Sequence, residues 1–137
     1  MALLVPDEGE VNMLERILNN AAADDVDLRL YVNDVTPSES DTMASGSETY
    51  TECSETGYAA KTLTGASWTI STSTGTTSAT YAQQDFVLTS GPVDVYGYFV
   101  TDSTVGDTLL WAERFDTTAS LGAGGGTVSV TPYIELD

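Results

Sequence analysis

The chain has no histidine and almost no lysine. Its four basic residues are Arg16, Arg29, Lys61 and Arg114, set against 21 carboxylates. The resulting formal charge of -17 argues against nucleic-acid binding, which neutralises phosphates with Lys and Arg, and against docking on an anionic membrane. Without histidine, no Ser-His-Asp or Cys-His arrangement can form, and the side chain best suited to proton transfer near neutrality is missing. Cys53 stands alone, so the chain holds no internal disulfide, and the residue reads as a small buried hydrophobe. No apolar run approaches the ~20 residues of a membrane span. The opening segment Met1–Pro6 has neither a basic n-region nor a long h-region, so synthesis in a cytoplasm without a secretory leader is expected.

What is present points to one β-rich domain. A chain of 137 residues is one domain by length, and it can bury on the order of two thirds of its unfolded surface. Ser and Thr make up about a quarter of the sequence, and Thr, Val, Tyr and Trp favour strands. In ordinary buffer the acidic surface repels itself and works against the compact state. At about 1 M salt the Debye length falls to roughly 3 Å and that penalty largely disappears. Such a composition suits a protein that works in high salt.

The hydrophobic period divides the chain in two. Residues 1–25 read as an N-terminal arm and a short helix. Asp7, with Glu10 three positions on, resembles a capping box, and Val11, Leu14 and Leu18 then recur at helical spacing. Ahead of them, Leu3, Leu4 and Val5 form an apolar arm that needs a surface, either the protein's own body or a neighbouring subunit. From Asp27 onward the period is two, and residues 26–137 read as one β-sandwich domain. Leu28, Leu30 and Val32 share a face. The same holds for Ala66, Trp68 and Ile70, which predicts a core position for Trp68. Phe86 and Leu88 share another face, as do Val93, Val95, Gly97 and Phe99. Tyr96, Tyr98 and Val100 lie opposite these. Leu109, Trp111, Glu113 and Phe115 form the next run, and Val128, Val130, Ile134 and Leu136 the last. Pro132 inside that last run predicts an edge or a bulge. A further strand is expected near Thr49 to Cys53. The fold class is therefore all-β: a single antiparallel β-sandwich or jelly roll of about seven to eight strands with a short N-terminal helix.

Few residues suggest chemistry. Asp24, Asp25 and Asp27 offer oxygen ligands at a spacing that could hold Ca²⁺ or Mg²⁺. The loop lacks the remaining EF-hand ligands and its glycine, so it reads first as a solvated helix-to-strand turn and second as a cation site. Glu39, Asp41, Glu48, Glu52 and Glu55 read as a solvated loop. The run Gly122–Gly126 has no Lys and no βα context, so it is a hairpin loop rather than a phosphate loop. Two carboxylates can cleave a glycoside without histidine, but nothing in the sequence brings Glu113 and Glu135 together. No catalytic residue and no cofactor is expected. Tyr96 and Tyr98, read as one face of a strand, join the arm (Leu3, Leu4, Val5) and the helix face (Val11, Leu14, Leu18) as candidate interface residues.

Four segments carry a resemblance: Gly57-Tyr-Ala-Ala-Lys-Thr-Leu-Thr-Gly-Ala-Ser-Trp-Thr-Ile70, Ala79-Thr-Tyr-Ala-Gln-Gln-Asp-Phe86, Val95-Tyr-Gly-Tyr-Phe-Val-Thr-Asp102 and Leu109-Leu-Trp-Ala-Glu-Arg-Phe115. Together they resemble small head-associated proteins of tailed viruses, among them capsid decoration or cement proteins. The resemblance implies a non-enzymatic virion protein on the outer capsid surface, assembled in the host cytoplasm. Its partners would be the major capsid protein and copies of itself, a trimer being favoured over a dimer, with no nucleic acid and no membrane. The rival reading is a tail- or fibre-associated module that binds a receptor or glycan. The chain departs from bacterial examples in its acidity and near loss of lysine, which points to a virus of a halophilic, haloarchaeal host.

The charge balance generates a first prediction. Thermal melts across NaCl and KCl series should show a midpoint that rises steeply towards molar salt, because screening relieves self-repulsion. A midpoint that salt leaves unchanged or lowers would remove the case for high-salt adaptation.

Overall fold

The computed structural model describes residues 3–9, 12–13, 25–73, 76–103 and 108–136. The fold is all-β, with every strand pairing antiparallel. In chain order the strands are β1 (Leu3–Leu4), β2 (Val26–Tyr31), β3 (Lys61–Leu63), β4 (Thr69–Ser73), β5 (Thr76–Thr80), β6 (Gln84–Leu88), β7 (Val93–Asp102), β8 (Leu109–Leu121), β9 (Gly126–Val130) and β10 (Tyr133–Leu136). They form a five-stranded sheet ordered β1-β8-β7-β2-β3, a three-stranded sheet β10-β5-β4 and a two-stranded sheet β6-β9.

The main core lies between the five-stranded sheet and β6-β9. Leu28, Leu30, Leu63, Val95, Tyr98, Val100 and Trp111 from the first meet Phe86, Leu88, Val128 and Val130 from the second. Cys53 is buried in this core, where burial pushes its thiol pKa up. The alternation expected of β2, β6 and β9 is the one observed: Leu28, Leu30, Phe86, Leu88, Val128 and Val130 all point inward.

The opposite face of the large sheet is covered too, by residues 33–52. Tyr50 of this loop stacks on Phe99 at 5.4 Å between ring centroids and tilts against Tyr31 at 4.8 Å. Val35 and Met43 close the cluster over Leu109 and Ala112. Backbone bonds stitch the loop to itself and to β2: Val32 N–H to Thr51 O at 2.9 Å, Cys53 N–H to Leu30 O at 2.9 Å and Thr49 N–H to Thr42 O at 2.8 Å. The strand expected near Thr49 to Cys53 is instead this loop's return, tied to β2 by an isolated Tyr31–Glu52 bridge.

Two bulges change which side chains share a face. The β7–β8 register shifts between Val95 and Gly97, and again between Val100 and Thr101. The first shift sets two steps along β7 against five along β8, and the second sets one against two; an odd number of unpaired residues reverses the alternation beyond it. Val95 and Tyr98 therefore both enter the main core, while Tyr96 packs on the other face. Likewise Leu110 and Trp111 both enter the main core, and Leu109 faces the loop cluster. The faces expected for Tyr96 with Tyr98, and for Leu109 with Trp111, are corrected accordingly. Gly97 lies at the crowded point: a Cβ there would collide with the Glu113 carbonyl and the Tyr31 ring.

Two other expectations change. Ala66 belongs to a 3-10 turn (Gly65–Ser67), not to a strand, and Ile70 is 71% exposed. Trp68 nevertheless packs on the core edge-on, 5.9 Å from Trp111 and 5.2 Å from Tyr81. The run 128–136 is two strands, because Pro132 ends β9 and the chain crosses to a different sheet as β10. The N-terminal arm lies on the protein's own body. β1 pairs with β8 (Leu3 with Glu113, Leu4 with Ala112), Val5 packs on the main core and Pro6 is buried. Residues 7–9 and 12–13 are helical. Glu10, Val11, Leu14 and Leu18 lie outside the described residues.

Burial separates two aliphatic residues of similar size. Leu30→Ala, at a site with no exposure, should lower stability by about 2–5 kcal/mol. Ile70→Ala should change it by about 0.5 kcal/mol or less, as surface substitutions do. Urea unfolding of both variants checks the pair, and comparable losses would mean that the inward face has been misassigned.

Candidate functional site

With 21 carboxylates and four bases, most acidic groups cannot form ion pairs. Many accept hydrogen bonds from hydroxyl and amide donors instead. The supposed solvated loop illustrates this. Asp41 accepts from the Tyr50 hydroxyl at 2.6 Å and from Ser38 N–H at 2.8 Å. Glu55 accepts from the Ser90 hydroxyl at 2.7 Å, and Glu48 from Gly46 N–H at 3.0 Å. Glu8 joins the N-terminal segment to two elements, accepting from Leu109 N–H at 2.8 Å and the Thr42 hydroxyl at 3.1 Å. These acids are loop fasteners rather than idle surface charge.

Arg29 is the centre of one polar cluster. Its guanidinium meets Glu52 at 3.1 Å and Asp27 at 3.5 Å. Glu52 also accepts from the Tyr58 hydroxyl at 2.8 Å, and that hydroxyl accepts from Leu30 N–H at 3.1 Å. An open cleft of about 520 Å³ lies beside the cluster, with Met43, Glu48 and Tyr50 also in its walls. Its carboxylates disfavour anionic ligands.

A second, smaller cleft of about 250 Å³ opens beside Tyr98, Glu113 and Phe115. Glu113 is 6% exposed and accepts a short hydrogen bond from the Tyr98 hydroxyl. Glu135, the other carboxylate weighed for glycoside chemistry, is exposed on β10 and accepts from the Tyr133 hydroxyl. Each carboxylate is thus occupied by its own tyrosine. Sequence reasoning placed Glu113 on a strand face but missed its burial. The signal available was the near-continuous apolar run through β7, which marks a strand covered on both faces.

The other candidate residues fall as follows. Asp24 lies outside the described residues. Asp25 accepts from Gly65 N–H at 3.1 Å, and Asp27 from the Thr62 hydroxyl at 2.8 Å. Both carboxylates brace the β2–β3 corner. Among the described residues no cluster of three or more His, Cys, Asp or Glu is placed to hold a metal ion. Tyr98 is 2% exposed, so this chain alone does not present it as an interface residue. Tyr96 is half-buried beneath Arg114, whose guanidinium sits 5.2 Å from its ring centroid. Arg114 itself bonds Asp34 at 2.6 Å and Val35 O at 2.8 Å, pinning the start of the covering loop. Leu4 and Val5 are half-buried on the edge of the large sheet. Among the described residues, no helix is long and apolar enough to cross a membrane.

Comparison with protein-family models and with curated protein sequences gives no match for this chain.

The buried tyrosines generate a pH prediction. Burial raises the phenol pKa of Tyr31 to about 12. Burial also raises that of Tyr50, reinforced by the Asp41 hydrogen bond, and that of Tyr98, reinforced by Glu113. The unfolded chain then loses these protons near pH 10 while the folded chain keeps them. Stability is accordingly fully present below pH 10 and falls as pH rises above it. Each such group contributes about 1.4 kcal/mol per pH unit. Urea unfolding between pH 9 and 11 should therefore show a steep loss above pH 10, which Tyr50→Phe makes shallower. A flat profile would mean that these phenols ionise freely in the folded state.

Proposed function

We propose that this chain is a non-enzymatic virion structural protein, a capsid decoration or cement protein on the outer head surface of a tailed virus. In this reading it binds the major capsid protein and copies of itself as a homo-oligomer, and it stabilises the capsid lattice against the pressure of the packaged genome. It assembles in the host cytoplasm.

The observation that carries the reading is the double cover on the five-stranded sheet. One face is filled by β6-β9 and the other by residues 33–52. A sheet packed on both faces is a stiff slab, suited to bearing load. Of the four segments that resemble head-associated virion proteins, Val95–Asp102 and Leu109–Phe115 lie on β7 and the first half of β8 at the centre of this slab, while the other two reach β3 and β6 and also run into β4 and β5 of the three-stranded sheet. The acidic, base-poor surface suits a particle that assembles and persists in molar salt, as in a haloarchaeal host. The N-terminal edge is the proposed lattice contact. Among the described residues β1 pairs with Ala112 and Glu113 of the long β8, and Val11, Leu14 and Leu18 follow it in sequence.

Copy number tests this directly. Quantitative mass spectrometry of purified virions should find the chain at an abundance comparable to the major capsid protein, and recombinant chain should rebind stripped particles to the same level. A few copies per particle, at a tail or fibre, would replace this reading with the receptor- or glycan-binding module.

A further inference from the structure

Between Glu55 and Asp85 the sequence has no carboxylate, and Lys61 is its one charged residue. In so acidic a chain that segment is an island without negative charge. The structure places its centre, β4, at the free edge of the sheet β10-β5-β4. All five residues of β4, Thr69 to Ser73, are exposed. Ile70, 71% exposed, is the most exposed large hydrophobic residue among those described.

An exposed strand edge is a template for pairing with another chain, and proteins usually blunt such edges with charge, proline, bulges or shortness. The other edge strands carry such devices or are anchored. β1 has two residues, β3 carries Lys61, β10 carries Glu135 and β6 carries Asp85. β9 buries Val128 and Val130. β4 has no charge, no proline and no bulge in its register with β5. It also has little support. Among the described residues β4 is bonded to β5 alone, whereas β5 has a second neighbour in β10, and the five exposed residues of β4 have no layer packed over them.

We infer that β4 is a self-association edge: it pairs antiparallel with β4 of a second copy, joining two three-stranded sheets into one six-stranded sheet across a two-fold axis. The occupant is a second copy because charge selects it. Two chains of -17 repel wherever carboxylates face each other, and β4 against β4 brings none together. Pairing β4 with β10 of another copy would instead bring in Glu135 and would leave an edge free to propagate. Pairing like with like closes at two copies. The contact places Ile70 of both copies at the junction and removes them from water. This inference stands apart from the capsid-binding part of the proposed function, since a chain that decorated heads as a monomer would overturn it and leave that part intact.

Sedimentation velocity of the full chain in molar KCl should show a reversible dimer. Ile70→Lys and Ile70→Glu should both weaken it by on the order of tenfold or more, because an isologous contact meets each new charge twice. Their circular dichroism and melting should stay at parental values, since the site is exposed. Cysteines placed singly at residues 69 to 73 in a Cys53→Ser background should include at least one that forms an intermolecular disulfide far faster than a cysteine at exposed Thr117. A parent that stays monomeric at its highest soluble concentration, variants that associate as tightly as the parent, or cross-linking no faster than at Thr117 would each overturn the inference.

Discussion

Strand β7 runs through the middle of the largest sheet with apolar side chains on both sides, and neither side can be left in water. Val95, Tyr98 and Val100 require the β6-β9 layer, while Phe99 and Tyr96 require a second cover. That second cover is not a sheet. A chain segment without regular strands can lie over a β-sheet only if its backbone groups find partners. Here Asn33, Asp41, Glu48 and Arg114 supply them, through Thr49, Thr51, Ser38, Gly46 and Val35. The extended loop is therefore a structural layer, and the aromatic stack of Tyr31, Tyr50 and Phe99 holds it down.

The same economy explains how so acidic a chain folds. Ion pairs are limited by the four bases, so carboxylates turn to hydroxyls and backbone amides, and the abundance of Ser, Thr and Tyr meets that demand. Charge-assisted bonds of this kind are stronger than neutral ones, and a carboxylate engaged by N–H and O–H donors stays useful in high salt, where long-range attraction is screened. Glu8 shows the principle at the N-terminus, where one side chain links the first helical residues to β8 and to the covering loop. Glu113 shows it in the interior, where the Tyr98 hydroxyl supplies the partner that no base provides.

Charge is also distributed unevenly. The covering loop and its neighbours hold dense carboxylates, while β4 and β5 hold none. In a protein that repels its own copies over most of its surface, a neutral edge channels association to one place. The stiff slab and the acidic shell are what support the proposed virion role, and the neutral edge is what supports the proposed self-association.

Much of this was legible along the chain. The period of two marked β2, β6 and β9 with the correct inward residues: β6 and β9 have one buried and one wet face, and in β2 the apolar Leu28 and Leu30 alternate with Arg29. The all-β class followed from that period and from turn residues placed between the runs. Composition alone determined the acidity, the lack of histidine chemistry and the absence of an internal disulfide. What alternation could not reveal is where it reverses. The bulges beside Gly97 and Leu110 depend on how β7 and β8 meet, and they moved Tyr98 from a presumed surface to the core. Ile70 went the other way, because a hydrophobic residue at a strand position is inward only if a second layer stands behind it. The sequence by itself thus determined which residues could form strands and how the molecule must manage its charge. Only the tertiary structure decided which faces are covered, since burial is a relation between segments far apart in the chain and no local pattern contains it.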